Sequence, residues 1–504
     1  MEPKITQELV NPQQWRWQLQ PSLVLVLLPL VALLLLHRRK SNSTLRLPPG
    51  PWRLPVIGNL HQIGALPHRS LRALAQRHGP VMMLRLGTVP AVVLSSPEAA
   101  RHALKTHDAD CCGRPPSAGP RLLSYGYKDV AFSPYSDYVR DMRRVFVLEL
   151  LSMRRVQAAR STREAQVEKL VGDLARGGAT PVAIHEHVFA AVDGIVGAFA
   201  FGETYAAEQF KGEFIDVINE SLALLSSFSA EDFFPGAAGR MVDRLTGLAS
   251  RRDKIFRKLD GFFEHVLDQH LDPARAKPDG DDGSSRSHLV QELIDLWREH
   301  GATKGITRDH VKAILMDTFV GGNNTSSVTM HWAMSELLRH PLELKKVQDE
   351  IRAAVAVSQE LVRHDDMPKL RYLRMVVKET LRLHPPATLL VPRQTTRRIK
   401  VGGYDIPADT KVIVNAWAIG RVPGQRRRLQ RRALRAPALR RRPPDLPGAG
   451  DGRGERGVHP GQLALLLRLG AAGRGARRGR EHGGGGSTDV PQENSADGRA
   501  NKVP

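Results

Sequence analysis

From Val422 to Pro504 the chain contains no Phe, Tyr, Trp, Ile, Met or Cys, while Arg and Gly abound. No packed core can be assembled from such a segment, so whatever folds here must be built from the residues before it. The same break governs the charge. The whole chain carries +22, which taken alone would point to nucleic acid or an anionic membrane surface as a partner. Residues 421–504 hold 19 Lys and Arg against 7 Asp and Glu, a net +12, which leaves +10 for the preceding 420. The basicity belongs to the tail. Only two cysteines occur, Cys111 and Cys112, adjacent and therefore unable to staple distant segments. A reducing, cytosol-facing environment fits this usage.

Near the other end, Leu19 to Leu36 carries no charge and is dominated by Leu and Val. As a helix at about 1.5 Å per residue it would span roughly 27 Å, close to the thickness of a hydrocarbon core. His37-Arg38-Arg39-Lys40 follows at once and holds this end on the cytosolic side by the positive-inside tendency. No small-residue cleavage site follows the run, so it reads as a retained anchor. Leu47-Pro48-Pro49-Gly50-Pro51 and Pro55 then favour a stiff extended connector, because proline fixes φ and removes a donor. The expected organisation is a membrane anchor over 1–40, a proline-rich hinge over 41–60, one large body over 61–421 and a basic tail over 422–504.

The body is expected to be mainly α with a small β portion. Apolar residues recur at helical spacing, for example Val167, Leu170, Val171 and Leu174, or Phe256, Leu259, Phe262, Phe263, Val266 and Leu267. Val81–Leu86 and Ala91–Leu94, flanking Gly87 and Pro90, read as a hairpin, and Lys411–Val414 as a further strand. Residues 272–287 read as a polar surface loop. Thr307 to Arg339 has the period of one long helix, with Thr307 as N-cap and Pro341 beyond its end. Gly321-Gly322 in its middle costs about 1 kcal/mol per residue relative to alanine, which suggests close approach of a ligand or a local opening of the helix.

The sharpest signal is Lys378–Pro386, KETLRLHPP, in which Glu379 and Arg382 are three apart on one helical face and can form an ion pair. Val391-Pro392-Arg393 and Gly402-Gly403-Tyr404-Asp405-Ile406-Pro407 follow. Together these runs resemble the K helix and following strands of the cytochrome P-450 family, in its plant A-type branch. The resemblance extends over roughly 45–421 and takes in the proline hinge, Pro55–Leu60 and Ala230–Pro235. It implies the cytochrome P-450 fold, incomplete at the C-terminus, behind a single N-terminal transmembrane helix. It also implies haem as cofactor, with Glu379 and Arg382 folding the haem-binding core and doing no chemistry. Tyr138–Arg144 resembles the C helix, whose Trp-x-x-x-Arg pair holds a haem propionate; Arg143 stands at the arginine position, but Val139 replaces the tryptophan. Arg393 resembles a second propionate-binding arginine. Gly321-Gly322-Asn323-Asn324-Thr325-Ser326 resembles the I-helix signature, where dioxygen lies in the widened groove and Thr325 would hold a water or the distal oxygen. Asn324 stands where an acid is usual, and an amide orients water without supplying a titrating proton.

In this family the iron ligand is a cysteine thiolate, which pushes electron density toward the iron. This chain has no cysteine beyond Cys112, so no metal ligand is assigned; Cys111 and Cys112 lie in Asp110–Pro115, which resembles a segment near the substrate pocket. The ligand's codon is expected to survive out of phase. Leu439–Gly448, LRRRPPDLPG, back-translated and shifted by one base, can yield Phe-Gly-Ala-Gly-Arg-Arg-Ile-Cys-Pro-Gly, the haem-cysteine signature. The same shift in Leu465–Ala472 and Asp489–Ala496 yields runs that resemble the family's C-terminal region. The Pro-Glu-Arg-Phe element that buttresses the Glu379–Arg382 pair is missing, and the stretch between Arg421 and Leu439 is shorter than the family's.

The function implied is a haem-thiolate monooxygenase, an oxidoreductase of the endoplasmic reticulum membrane with its body in the cytosol. It would take electrons from NADPH through a membrane-bound reductase and hydroxylate a small hydrophobic metabolite, but would be inactive as translated. His459 in the tail has no supporting sequence as a substitute ligand. The alternative is a non-enzymatic anchored protein whose Arg/Gly tail binds RNA or acidic lipid. Nucleic acid is disfavoured because the tail lacks aromatics for stacking.

Overall fold

The computed structural model describes residues 45–422 apart from 147–151, 153–156, 158, 177–181, 203–207, 273–287 and 356–360. The expected anchor at Leu19–Leu36, the tail from 423 onward and all but Asp272 of the expected loop over 272–287 lie outside the described residues.

The described chain begins with the hinge and enters helix α1, Pro67–His78, with proline at a first-turn position where no intrahelical donor is missed. Strands β1, Val81–Leu86, and β2, Val89–Leu94, form the expected hairpin in antiparallel register, Val81 opposite Leu94 and Leu86 opposite Val89. Gly87 sits in the turn at φ +62°, and a Cβ there would run into the Phe233 carbonyl. Pro90 lies inside β2, opposite Arg85. The sequence reading started the strand one residue after it. Proline is tolerated because β2 gains its second neighbour only from Ala91 onward.

Short helices α2, Pro97–Arg101, and α3, Ala118–Leu123, lead to α4, Asp137–Val145, whose N-cap Ser136 accepts from Val139 N. The helical body follows as α5, Arg160–Arg176, α6, Ile184–Phe201, α7, Glu208–Leu225, α8, Ala237–Leu245, α9, Leu248–Leu271, and α10, Leu289–Lys304. Helix α6 is long and apolar enough to cross a membrane, but Val188, Ala191, Val192, Ala200 and Phe201 are buried in the core. Phe201 stacks on Phe319 at 4.9 Å, and Phe214 meets Phe319 edge-on at 4.7 Å, so these rings lock α6 and α7 against the following helix.

That helix is α11, Arg308–Phe319, capped by Thr307 as expected: the Thr307 amide donates to His310 Nδ1 at 3.0 Å. The stretch does not continue as one regular helix. Val320–Asn324 forms a π turn, and α12, Thr325–Arg339, resumes the α-helix. Helix α13 is Pro341–Ala354, and α14 is Arg371–Leu383. The chain then returns to the sheet through β3, Arg393–Gln394, β4, Ile399–Val401, β5, Tyr404–Ile406, and β6, Lys411–Val414, and closes with α15, Ala416–Gly420.

The main sheet has the order β1-β2-β6-β3, with β6 parallel to β2 in the register Ala91 to Lys411 and Leu94 to Val414. Alternation buries both faces of β2: Val92 and Leu94 join Val412 and Val414 on one side, while Ala91 and Val93 join Met82 and Leu84 on the other. Strands β4 and β5 form a separate pair. The architecture is mainly α with a small β portion, as the sequence implies.

Candidate functional site

The π turn is the natural centre of the site, because one extra residue per turn breaks the regular hydrogen-bond ladder and re-aims the side chains around it. Its buried side is fixed by α6. Asn323 is buried, and its Nδ2 donates to Asp193 Oδ1 at 3.0 Å; Ser327 Oγ donates to the Asn323 carbonyl at 3.0 Å. A Cβ on Gly322 would lie 3.1 Å from Val196 Cγ2, so this glycine lets α6 approach closely. The other side is open. A Cβ on Gly321 would meet nothing within 4 Å, Thr325 is exposed, and Asn324 is half-buried. Thr325 Oγ1 donates to the Gly321 carbonyl at 2.7 Å. Gly321, Asn324 and Thr325 therefore border the open side, while Asn323, to which the motif assigns no role, ties the turn to α6.

Three arginines elsewhere in the fold lie near enough for their charges to interact. Arg114 donates to the Pro392 carbonyl at 3.2 Å and is held below the usual guanidinium value by burial first and then by the charges of Arg393 and Arg143. The sequence assigned Arg143 and Arg393 and passed over Arg114. Its signal was available, since Arg114 lies in the quoted segment Asp110–Pro115, but only folding brings that segment to β3. The contact is built by Gln394 N donating to the Gly113 carbonyl at 2.8 Å, Thr396 N to the Asp110 carbonyl at 2.8 Å, and the ion pair of Arg397 with Asp110 at 2.6 Å. Arg393 is not a free guanidinium: its Nη1 lies 2.5 Å from Asp108 Oδ1. Arg143 is exposed on α4, and Val139, at the position of the family's tryptophan, is buried.

Glu379 and Arg382 form the expected ion pair on α14, through Arg382 Nε to Oε2 at 2.8 Å and Nη2 to Oε1 at 2.6 Å. Arg382 Nη1 also donates to the Gly420 carbonyl. Gly420 is required there, because a Cβ would collide with the Arg382 carbonyl.

A model described as cytochrome P-450 matches residues 48–425. The chain belongs to the cytochrome P-450 family. Among its relatives are the 4-hydroxyphenylacetaldehyde oxime monooxygenase of Sorghum bicolor, 56% identical over 426 residues covering 82% of this chain and 78% of the relative, and the 2-methylbutanal oxime monooxygenase of Manihot esculenta, 46% identical over 415 residues covering 82% and 79%. These relatives place it in the plant A-type branch. The fold agrees. A zebra fish cytochrome P-450 solved with abiraterone superposes with a TM-score of 0.61 at 23% identity, over 82% of this chain and 91% of that one; another solved with progesterone gives 0.60 at 23%, over 72% and 81%.

Haem is the family's cofactor, and the residues present meet its needs on one side only. The clustered guanidiniums of Arg114, Arg143 and Arg393 suit the carboxylates at a haem's edge. Among the described residues no side chain is suited to ligate the iron. Cys111 is fully buried in the sheet's core, where burial pushes its thiol up to about 11. Cys112 donates its thiol proton to the Ala109 carbonyl at 2.9 Å, and burial again raises its pKa. Neither is a thiolate at neutral pH. Among the described residues no group of three or more His, Cys, Asp or Glu is placed to hold a metal ion. These residues do not fit a haem-thiolate centre.

Proposed function

We propose that this chain descends from a monooxygenase of small aldoximes and, as translated, folds most of the cytochrome P-450 body without carrying the activity. The observation that carries this reading is the cysteine pair: the sequence holds only Cys111 and Cys112, burial raises the pKa of both thiols, and among the described residues no group of three or more His, Cys, Asp or Glu is placed to hold a metal ion. A frame change between Arg421 and Leu439, which leaves Leu439–Gly448 out of phase, would account for the missing ligand. The aldoxime substrate class rests on the activities named for the Sorghum and Manihot relatives. The family's haem activates dioxygen when a thiolate holds it.

In the ancestral site Thr325 would hold a water or oxygen by its hydroxyl, Asn324 would orient a water without giving up a proton, and Gly321 and Gly322 would leave room for the ligand and for α6. Arg143 and Arg393, joined by Arg114, would hold carboxylates. Glu379 and Arg382 act structurally. Leu19–Leu36 would anchor the body to the endoplasmic reticulum membrane, where an NADPH-dependent reductase supplies electrons.

The test is the spectrum of the expressed polypeptide, reduced and exposed to carbon monoxide. The absorbance at about 450 nm that marks a thiolate-ligated haem should be absent. Restoring the reading frame ahead of codon 439 together with the missing stretch after Arg421 should bring it back, along with turnover of 4-hydroxyphenylacetaldehyde oxime. A normal band from the unaltered chain would overturn the reading.

A further inference from the structure

Where the described chain ends, α15 packs against α1, and positive charge collects there, opposed by the more distant charge of Glu336. Asn415, fully buried, fixes the contact: its Nδ2 donates to the His68 carbonyl at 2.9 Å, and its Oδ1 accepts from Ala418 N at 3.0 Å. The Trp417 ring that results is crowded by guanidiniums. Arg421, Arg72 and Arg69 have their Cζ atoms 4.0, 5.5 and 5.9 Å from its centroid. A ring face attracts a cation, but an indole has only two faces, so three guanidiniums near one ring also feel one another's charge.

Among the described residues, Arg69, Arg72 and Arg421 have no carboxylate within ion-pair distance. Glu379 is taken by Arg382, and Glu336 by His384 at 2.8 Å. Arg421 feels this: burial first, then Arg72, Arg382 and Arg69, hold it below the usual guanidinium value. His68 packs edge-on against Trp417 at 4.8 Å, and burial, followed by Arg69 and Arg421, lowers its pKa, so it adds no charge at neutral pH. The chain beyond Arg421 is a poor source of compensation, since the segment from 421 holds 19 Lys and Arg against 7 Asp and Glu.

We propose that Arg69, Arg72 and Arg421, arrayed around Trp417, form a binding site for an oxyanion of two or more charges, a phosphate or a dicarboxylate. The guanidinium forks of Arg69 and Arg72 on α1, with the Arg421 guanidinium just beyond α15, whose Nη1 also donates to the Trp417 carbonyl at 3.3 Å, suit such a ligand, because a guanidinium offers donors in a plane and the contact through Asn415 holds the two segments together. The site lies apart from Thr325 and the π turn, and it does not depend on haem.

Arginine labelling of the full chain with phenylglyoxal at low salt, read residue by residue by mass spectrometry, tests it. Pyrophosphate or succinate at about ten times its dissociation constant should slow labelling of Arg69, Arg72 and Arg421 roughly tenfold. Arg140, a surface arginine paired with Asp137 on α4, serves as the control and should be unchanged. Whichever anion protects at the lower concentration identifies the source. In Arg72→Gln the protection of Arg69 and Arg421 should need about tenfold more ligand, whereas anion uptake by the basic tail would be unaffected. Equal protection of Arg140 and the three arginines, or none by either anion, overturns the proposal.

Discussion

Arg382 grips Glu379 with two nitrogens at 2.8 and 2.6 Å and spends its third on the Gly420 carbonyl. The guanidinium side chain is only 13% exposed, so removing the carboxylate leaves a poorly solvated charge facing one carbonyl. Glu379→Ala should therefore cost about 2–3 kcal/mol, between the typical losses for exposed and buried pairs. Adding Arg382→Met should recover part of that loss. Urea midpoints for the two single variants and the double variant check this; additive losses would show that the pair is not coupled.

A second prediction concerns the loop after α3. Asp317 on α11 accepts from Val130 N at 2.8 Å and Ala131 N at 3.1 Å, tethering a loop in which Tyr125, Gly126 and Tyr127 all have positive φ, at 55°, 76° and 67°. Burial first, and then the charge of Asp129, hold the Asp317 carboxyl well above the usual carboxylate range. The folded protein thus keeps a proton that the unfolded chain loses above about pH 4. This contribution is full below that pH and declines as pH rises through the raised value. Asp317→Asn keeps an acceptor for the two amides and removes the titration. Its melting temperature should gain on the parent between about pH 5 and pH 8. Parallel curves would refute the assignment.

These elements differ in how far sequence anticipates them. The Glu379–Arg382 pair was legible because both residues lie on one helix, where a spacing of three decides adjacency. The opening at Gly321-Gly322 was legible because two interior glycines are costly without a reason. Which asparagine faces α6 was not, because a π turn adds a residue and shifts the faces counted from either end. Asn323, not Asn324, proved to be the buried one. Arg393 with Asp108, 285 residues apart, and Arg114 beside them were equally hidden, since only the return of the chain through β3 brings them together. The family resemblance supplied a role for Arg393 but not its carboxylate partner.

Gly321 offers a direct measure of what the open side costs. With nothing within 4 Å of a Cβ there, alanine adds helix propensity without a clash. Gly321→Ala should raise stability by about 0.5–1 kcal/mol in this chain. Gly322→Ala should gain less, because its Cβ would press on Val196 at 3.1 Å. Thermal unfolding of the two variants separates a glycine kept for a ligand from one kept for packing; equal gains would contradict the distinction.

Lys312 on α11 is the most heavily committed cation of the described body. Its side chain is 5% exposed, and Nζ lies 2.6 Å from Asp260 Oδ1, 2.6 Å from Glu264 Oε1 and 3.2 Å from Asp309 Oδ1, with the Tyr125 ring centroid at 4.8 Å. Burial pulls its pKa down, but the hydrogen bonds to the three carboxylates raise it further, so the ammonium stays charged and its contribution is full at neutral pH. Lys312→Met fills similar volume but leaves Asp260 without its cation, while Glu264 keeps Arg308 and Asp309 keeps Lys128. The cost should be about 2–3 kcal/mol at pH 7, between the exposed and buried cases. Burial raises the Asp309 pKa, but Lys128 and Lys312 lower it more, so the folded value is depressed and its stabilising contribution is lost as pH falls through it. In the variant Asp309 regains its proton at higher pH than in the parent. The difference between the two proteins should therefore narrow as the buffer approaches about pH 4. Denaturant titrations at neutral and acidic pH measure that narrowing, and a pH-independent loss would mean that packing around Tyr125, not charge, holds Lys312 in place.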